Sequence, residues 1–86
     1  MNINELIAIV KKKIEKNINV KKILVEDKTY LHKNHPGNDK NKFHIKIILH
    51  SQELKEMSKI ESNKKIYKIL IDELKDYIHS LQISIH

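Results

Sequence analysis

The sequence predicts an α+β fold in which helices cover one face of a three-stranded sheet. Two observations carry that expectation. Apolar residues recur at helical spacing near the start and again in the second half of the chain, while in the middle and at the end they alternate with polar residues. Read in order, the segments run helix, strand, strand, helix, helix, strand, which packs as two layers around one core. The chain of 86 residues reads as a single domain, 1–86, small enough that burial of its apolar surface is marginal. No internal repeat, linker or second domain is visible.

Ile3, Leu6, Ile7, Val10 and Ile14 fall on one helical face, with Lys11, Lys12, Lys13 and Glu15 outside it. Asn2 or Asn4 can cap the start, Glu5 suits the positive end of the helix and Lys16 the negative end. Asn17-Ile18-Asn19 reads as a break. Val20 to Asp27 is rich in β-branched residues and reads as a strand, with Ile23, Leu24 and Val25 expected to be buried. From Thr29 to Asn41 a loop is expected, since it holds the only Pro and the only Gly, adjacent as Pro36-Gly37.

Phe43, Ile45, Ile47 and Leu49 alternate with His44, Lys46, Ile48 and His50, the period of a half-buried strand that pairs with the first as a hairpin. Ser51 can cap a short helix through about Met57. A second helix is expected from about Ser62 or Asn63, with Ile66, Ile69, Leu70, Leu74 and Tyr77 or Ile78 on one face. Leu81, Ile83 and Ile85 then alternate with Ser80, Gln82 and Ser84 as a third strand.

Composition narrows the chemistry. With no Cys the chain has no disulfide staple, which suits an intracellular, cytoplasmic setting. The start has neither a basic leader nor Arg, Lys11-Lys12-Lys13 interrupts the first apolar run, and nothing approaches the ~18 apolar residues of a membrane span. The net charge of +6 suggests polyanions, yet every basic residue is Lys. Bidentate reading of guanine most often uses Arg, so weak DNA attraction is expected and specific readout is not. Lys64, Lys65 and Lys68, on the first half of the long helix, are the candidates for a phosphate or an acidic protein surface. There is no Cys nucleophile, no Gly-rich phosphate loop and no serine in a nucleophile elbow. Asp27, Thr29 and His32 lie on one local segment without an oxyanion hole, so no catalysis and no small-molecule substrate are expected.

The histidines carry the remaining signal. His32 lies in the polar loop and His79 opens the C-terminal run, so they act together only if the fold joins them. Such a site has two imidazoles and no thiolate, and any sulfur ligand must come from a partner. His35, close to His32, is the rival loop ligand. His79 shares its parity with Leu81, Ile83 and Ile85, which favours a partly buried position. His44 and His50 are expected to be solvated, and His86 to fray. Without Cys or an HExxH helix, the histidine count is a weak signal for zinc.

Several stretches resemble the BolA-like proteins. Val25-Glu26-Asp27-Lys28-Thr29-Tyr30-Leu31-His32 is similar to the family's "V-x-D-E-S-x-x-H", and Lys42-Phe43-His44-Ile45-Lys46-Ile47-Ile48-Leu49-His50-Ser51 to its "H-F-K-V-x-I-V-S" strand. Tyr67 to Leu74 resembles "V-Y-x-x-L-x-x-E-L", and Ile78-His79-Ser80-Leu81-Gln82-Ile83 the terminal "V-H-A-L-S-I". The resemblance implies a class II KH-like αββαβ fold and a non-enzymatic adaptor, monomeric when alone. Its implied partner is a monothiol glutaredoxin, with which it would share a [2Fe–2S] cluster for trafficking or regulation. Glutaredoxin and glutathione would supply the sulfur ligands. Carried over to this chain, the imidazole ligands are His79 and His32, and the isolated chain would hold no cluster. Imidazoles in place of two thiolates raise the potential of such a cluster, as in Rieske centres, and make its binding pH-sensitive.

Two departures stand out. The family's "R-H-R" before the long helix is Ser62-Asn63-Lys64 here, which weakens the alternative reading of a DNA-binding transcriptional regulator. Its "F-x-G" after the second strand is Leu54-Lys55-Glu56. RNA binding in the KH manner needs a GXXG loop that a chain with one Gly cannot form.

Overall fold

The computed structural model describes residues 1–29 and 42–86. It has the expected α+β architecture, with the order α1 (Ile3–Asn17), β1 (Lys22–Asp27), β2 (Phe43–His50), α2 (Gln52–Lys55), α3 (Lys59–Ile69), α4 (Ile71–Asp76) and β3 (Ile78–Ile85). The sheet order is β1-β2-β3. β1 pairs antiparallel with β2, and β2 pairs parallel with β3. A parallel pair needs a crossover, and α2 to α4 supply it on the face that α1 also covers.

Helix starts follow local hydrogen bonding. The Asn2 side chain accepts from Glu5 N at 2.8 Å while its amide donates to the Glu5 carboxylate at 3.0 Å, so donors left over in the first turn are satisfied. Leu6, Val10 and Ile14 lie one turn apart and are fully buried. Ser51 caps α2 by accepting from Leu54 N and also donates to Asn19 O at 2.8 Å, tying the end of β2 to the segment after α1.

α3 begins earlier than its apolar face suggests. Ser58 accepts from Glu61 N at 3.1 Å, a Ser-x-x-Glu box that starts the helix at Lys59. Ser62, expected near the start, is buried within the helix and donates to Lys59 O. The expected single helix is divided at Leu70, whose φ of −101° and ψ of 20° leave the helical region. After this break Glu73 on α4 turns inward, and both its oxygens receive the Lys13 ammonium of α1 at 2.8–2.9 Å.

The core lies between the helices and one face of the sheet. Ile45, Ile47 and Leu49 of β2 pack there with Leu6, Val10, Ile14, Leu54, Ile66, Leu70 and Ile78. β1 contributes less than expected: Val25 is buried and Ile23 half-buried, but Leu24 is 45 % exposed because alternation turns it to the other face. That open face carries Glu26, His44, Lys46, Ile48, His50, Ser80, Gln82 and Ser84. No helix among the described residues is long and apolar enough to cross a membrane.

Candidate metal centre

His79 reaches the open face through an irregularity in the sheet. Phe43 is paired with Ile78 and the next rung joins His44 to Ser80, so β3 carries one residue more than β2 between them. That residue is His79. The bulge breaks the alternation that would align His79 with Leu81, Ile83 and Ile85, and the side chain emerges exposed instead of partly buried. Because β3 is an edge strand, the imidazole stands at the rim of the sheet.

Its neighbour is His44. The two ring centres are 4.9 Å apart and the planes are tilted by 48°. His44 was expected to be solvated but is buried, at 4 % exposure, with Nδ1 2.7 Å from Ser80 Oγ. Its backbone N–H donates to Thr29 Oγ1 at 3.1 Å, and its carbonyl accepts from Lys28 N at 2.7 Å. Thr29 is itself turned by Asp27, whose Oδ1 accepts from Thr29 N. The end of β1 is thus stitched to the strand residue beside His79. Period-two reading placed His44 on the face opposite the core, correctly, but equated that face with water. Nothing local in the sequence announces the bulge that brings His79 over His44.

His32 and His35 lie outside the described residues. The sequence does place His32 three positions after Thr29.

A second imidazole pair occupies the other end of the same two strands. His50 and His86 have ring centres 5.1 Å apart with planes at 24°. His86 does not fray: its N–H donates to Leu49 O at 2.8 Å, and its carbonyl accepts from Ser51 N at 3.2 Å. Among the described residues, no third His, Cys, Asp or Glu joins either pair to complete a metal cage. Neutral imidazoles suit zinc, iron, copper and nickel, so the His50–His86 pair offers nitrogen donors to a borderline metal.

The three lysines are not equivalent. Lys64 and Lys68 are exposed, whereas Lys65 is taken by Glu53, 2.8 Å away. The Lys65 hydrogen bond, followed by the Asn19 N–H, holds the Glu53 carboxyl below the ordinary carboxylate range. Lys65 therefore links α3 to α2 and is not free for a phosphate.

Comparisons with known proteins bear on the family and the fold. The sequence of a DNA-binding transcriptional regulator BolA from Haemophilus influenzae is 28% identical over 75 residues, 87% of this chain and 70% of that protein. Among solved structures, the BolA domain of SufE1 from Arabidopsis thaliana superposes with a TM-score of 0.76 at 27% identity, covering 99% of this chain and 92% of that one. BolA1 from the same plant gives 0.75 at 22% identity over 91% of this chain and 86% of its own, a likeness of fold. The sequence profile described as BolA-like protein matches residues 14–86, and the chain belongs to that family.

Proposed function

We propose that this protein is a non-enzymatic adaptor that pairs with a monothiol glutaredoxin and supplies imidazole ligands to a shared [2Fe–2S] cluster, with His79 and His32 as the ligands. The exposed position of His79 at the bulge of an edge strand is the observation that carries the reading. A ligand offered to a cluster held by another protein must project beyond its own surface, and an edge position lets the partner approach without displacing a strand. His44 packs against the His79 ring from below and limits its rotation. Thr29, three positions before His32 in the sequence, accepts from the backbone N–H of the same His44 that adjoins His79. The chain's own part is to orient two neutral imidazoles and shield one side of them. The cluster is cargo, and its thiolate ligands come from glutaredoxin and glutathione. On this reading the chain is a single BolA-like domain, monomeric alone, acting in the cytoplasm.

The test is titration of the full chain into cluster-loaded monothiol glutaredoxin, followed by visible absorption and circular dichroism. Wild type and His35→Ala should give a new spectrum that His79→Ala and His32→Ala do not. Absence of any change with the wild type overturns the reading.

A second reading, DNA contact, is favoured by the name of the Haemophilus relative and by exposed Lys64 and Lys68. In that case Lys64→Ala and Lys68→Ala would each weaken duplex binding across sequences and reduce its salt dependence by about one unit of slope. Binding by wild type and variants that is equally weak at all salt concentrations counts against it.

A further inference from the structure

We propose that His50 and His86 form a second metal site, a two-imidazole clip for a late first-row divalent cation such as Ni²⁺, Cu²⁺ or Zn²⁺. The site lies on β2 and at the end of β3, away from His44 and His79. Along β2 His50 lies six positions after His44, about 20 Å at ~3.3 Å per residue, so one ion cannot serve both pairs.

The spacing of the two rings is that of a chelate. With metal–nitrogen bonds of ~2.0–2.1 Å, a ring centre lies about 3.2 Å from the ion; two rings in a tetrahedral site then stand roughly 5.2 Å apart, and two cis ligands of an octahedron about 4.5 Å apart. The observed 5.1 Å falls within that interval, and because the rings are stacked, with planes at 24°, a turn about the side-chain torsions brings both lone pairs onto one ion. Both side chains leave the sheet on its open face, and both backbones are held. Leu49 pairs with Ile85 on the preceding rung, His86 N–H donates to Leu49 O, and Ser51 N–H donates to His86 O.

One ring also has a hydrogen-bonding neighbour. His86 Nε2 lies 2.8 Å from Ser84 Oγ. With the proton on Nε2 that contact is a donated hydrogen bond, and the Nδ1 lone pair is kept for the ion, the outer support that metal-bound histidines commonly use.

The surroundings select the class of cation. The two rings border an open hollow of about 450 Å³, also lined by Asn19, Lys21, Glu53 and Lys55, with room for water as the remaining ligands. The two ammonium groups outnumber the one carboxylate, Glu53, which Lys65 already holds, and disfavour hard cations that bind through charge alone, such as Mg²⁺ and Ca²⁺. Late first-row ions gain much of their binding from imidazole itself and tolerate that field better. Because the clip joins neighbouring strands only in the folded chain, an ion bound there stabilises the fold.

The experiment is calorimetric titration of the full chain with ZnCl₂ and NiCl₂, alongside thermal unfolding with and without the metal. Wild type, His50→Gln, His86→Gln, the double variant and His79→Gln would be compared. One bound equivalent and a raised unfolding temperature are expected for wild type and His79→Gln. Affinity should fall at least about tenfold in each single variant at His50 or His86. Paramagnetic broadening of the unmodified chain by Ni²⁺ needs no substitution, and should centre on His50 and on Ser84 to His86. Broadening centred on His44 and His79, metal binding retained by the double variant, or no binding by wild type would each overturn the proposal. None of these results bears on the glutaredoxin reading, which turns on His79 and a partner.

Discussion

The two faces of β2 divide the work of this molecule. On the helix side Ile45, Ile47 and Leu49 are at most 1 % exposed and meet residues from α1, α2 and α3. On the open side, among the described residues, His44 lies against His79 and His50 against His86. The same period-two alternation serves both. Apolar area on one face stabilises the chain, and nitrogen donors on the other cost little stability because they replace nothing in the core. The candidate sites thus sit on a platform whose stability is set elsewhere, so the two should be separable by substitution.

The largest effect is expected on the helix face. Ile47→Ala removes a fully buried side chain at the centre of the sheet and should cost about 2–5 kcal/mol in a chemical denaturation experiment. Lys13→Ala leaves the Glu73 carboxylate buried without its cation. Because Lys13 is itself 34 % exposed, the expected loss is roughly 1–2 kcal/mol, below the ~3–5 kcal/mol of a fully buried pair. Ser58→Ala removes the cap of α3 and should cost about 1 kcal/mol, read as reduced protection of amides in its first turn.

Smaller still is the pH effect of Glu53. Its carboxyl is lowered in the folded state by Lys65, so its contribution is present above the unfolded value and lost as pH falls through the folded one. The stability difference between wild type and Glu53→Gln should therefore hold at neutral pH and shrink in acid below the ordinary carboxylate range. Last, His50→Ala on the open face should change metal-free stability by no more than about 0.5 kcal/mol. A loss as large as that of Ile47→Ala would erase the distinction between the faces.

The fold was largely legible because each strong signal was local. Alternation marked β2, helical spacing marked α1, and Ser51 announced α2. The misjudged α3 start had a local signal as well: Ser58 and Glu61 form a capping box, but the apolar pattern that begins at Ile66 drew the boundary too late. Leu70 was different. Its side chain fits the helical face and is fully buried, so nothing in its chemistry marks the break in the backbone.

The geometry of the candidate site was legible in part, for a physical reason. His79 stood out by the resemblance, yet its direction depends on a bulge whose cause is the register of β3 against β2, a long-range pairing. His44 and His86 were misjudged for the same reason: burial and anchoring came from neighbouring strands, and no run of adjacent residues encodes them. Leu24 was the converse, an apolar residue assigned to the core by its type, while its parity sends it to the open face.

The central claim is that His79 places an imidazole nitrogen on an iron shared with the partner. Pulsed electron paramagnetic resonance of the reduced complex with nitrogen-labelled histidine in this chain tests it most directly. The account predicts strong nitrogen couplings from two histidines in the wild type, with one lost in His79→Ala and both kept in His50→Ala. Couplings unchanged by His79→Ala, or none in the wild-type complex, would contradict it.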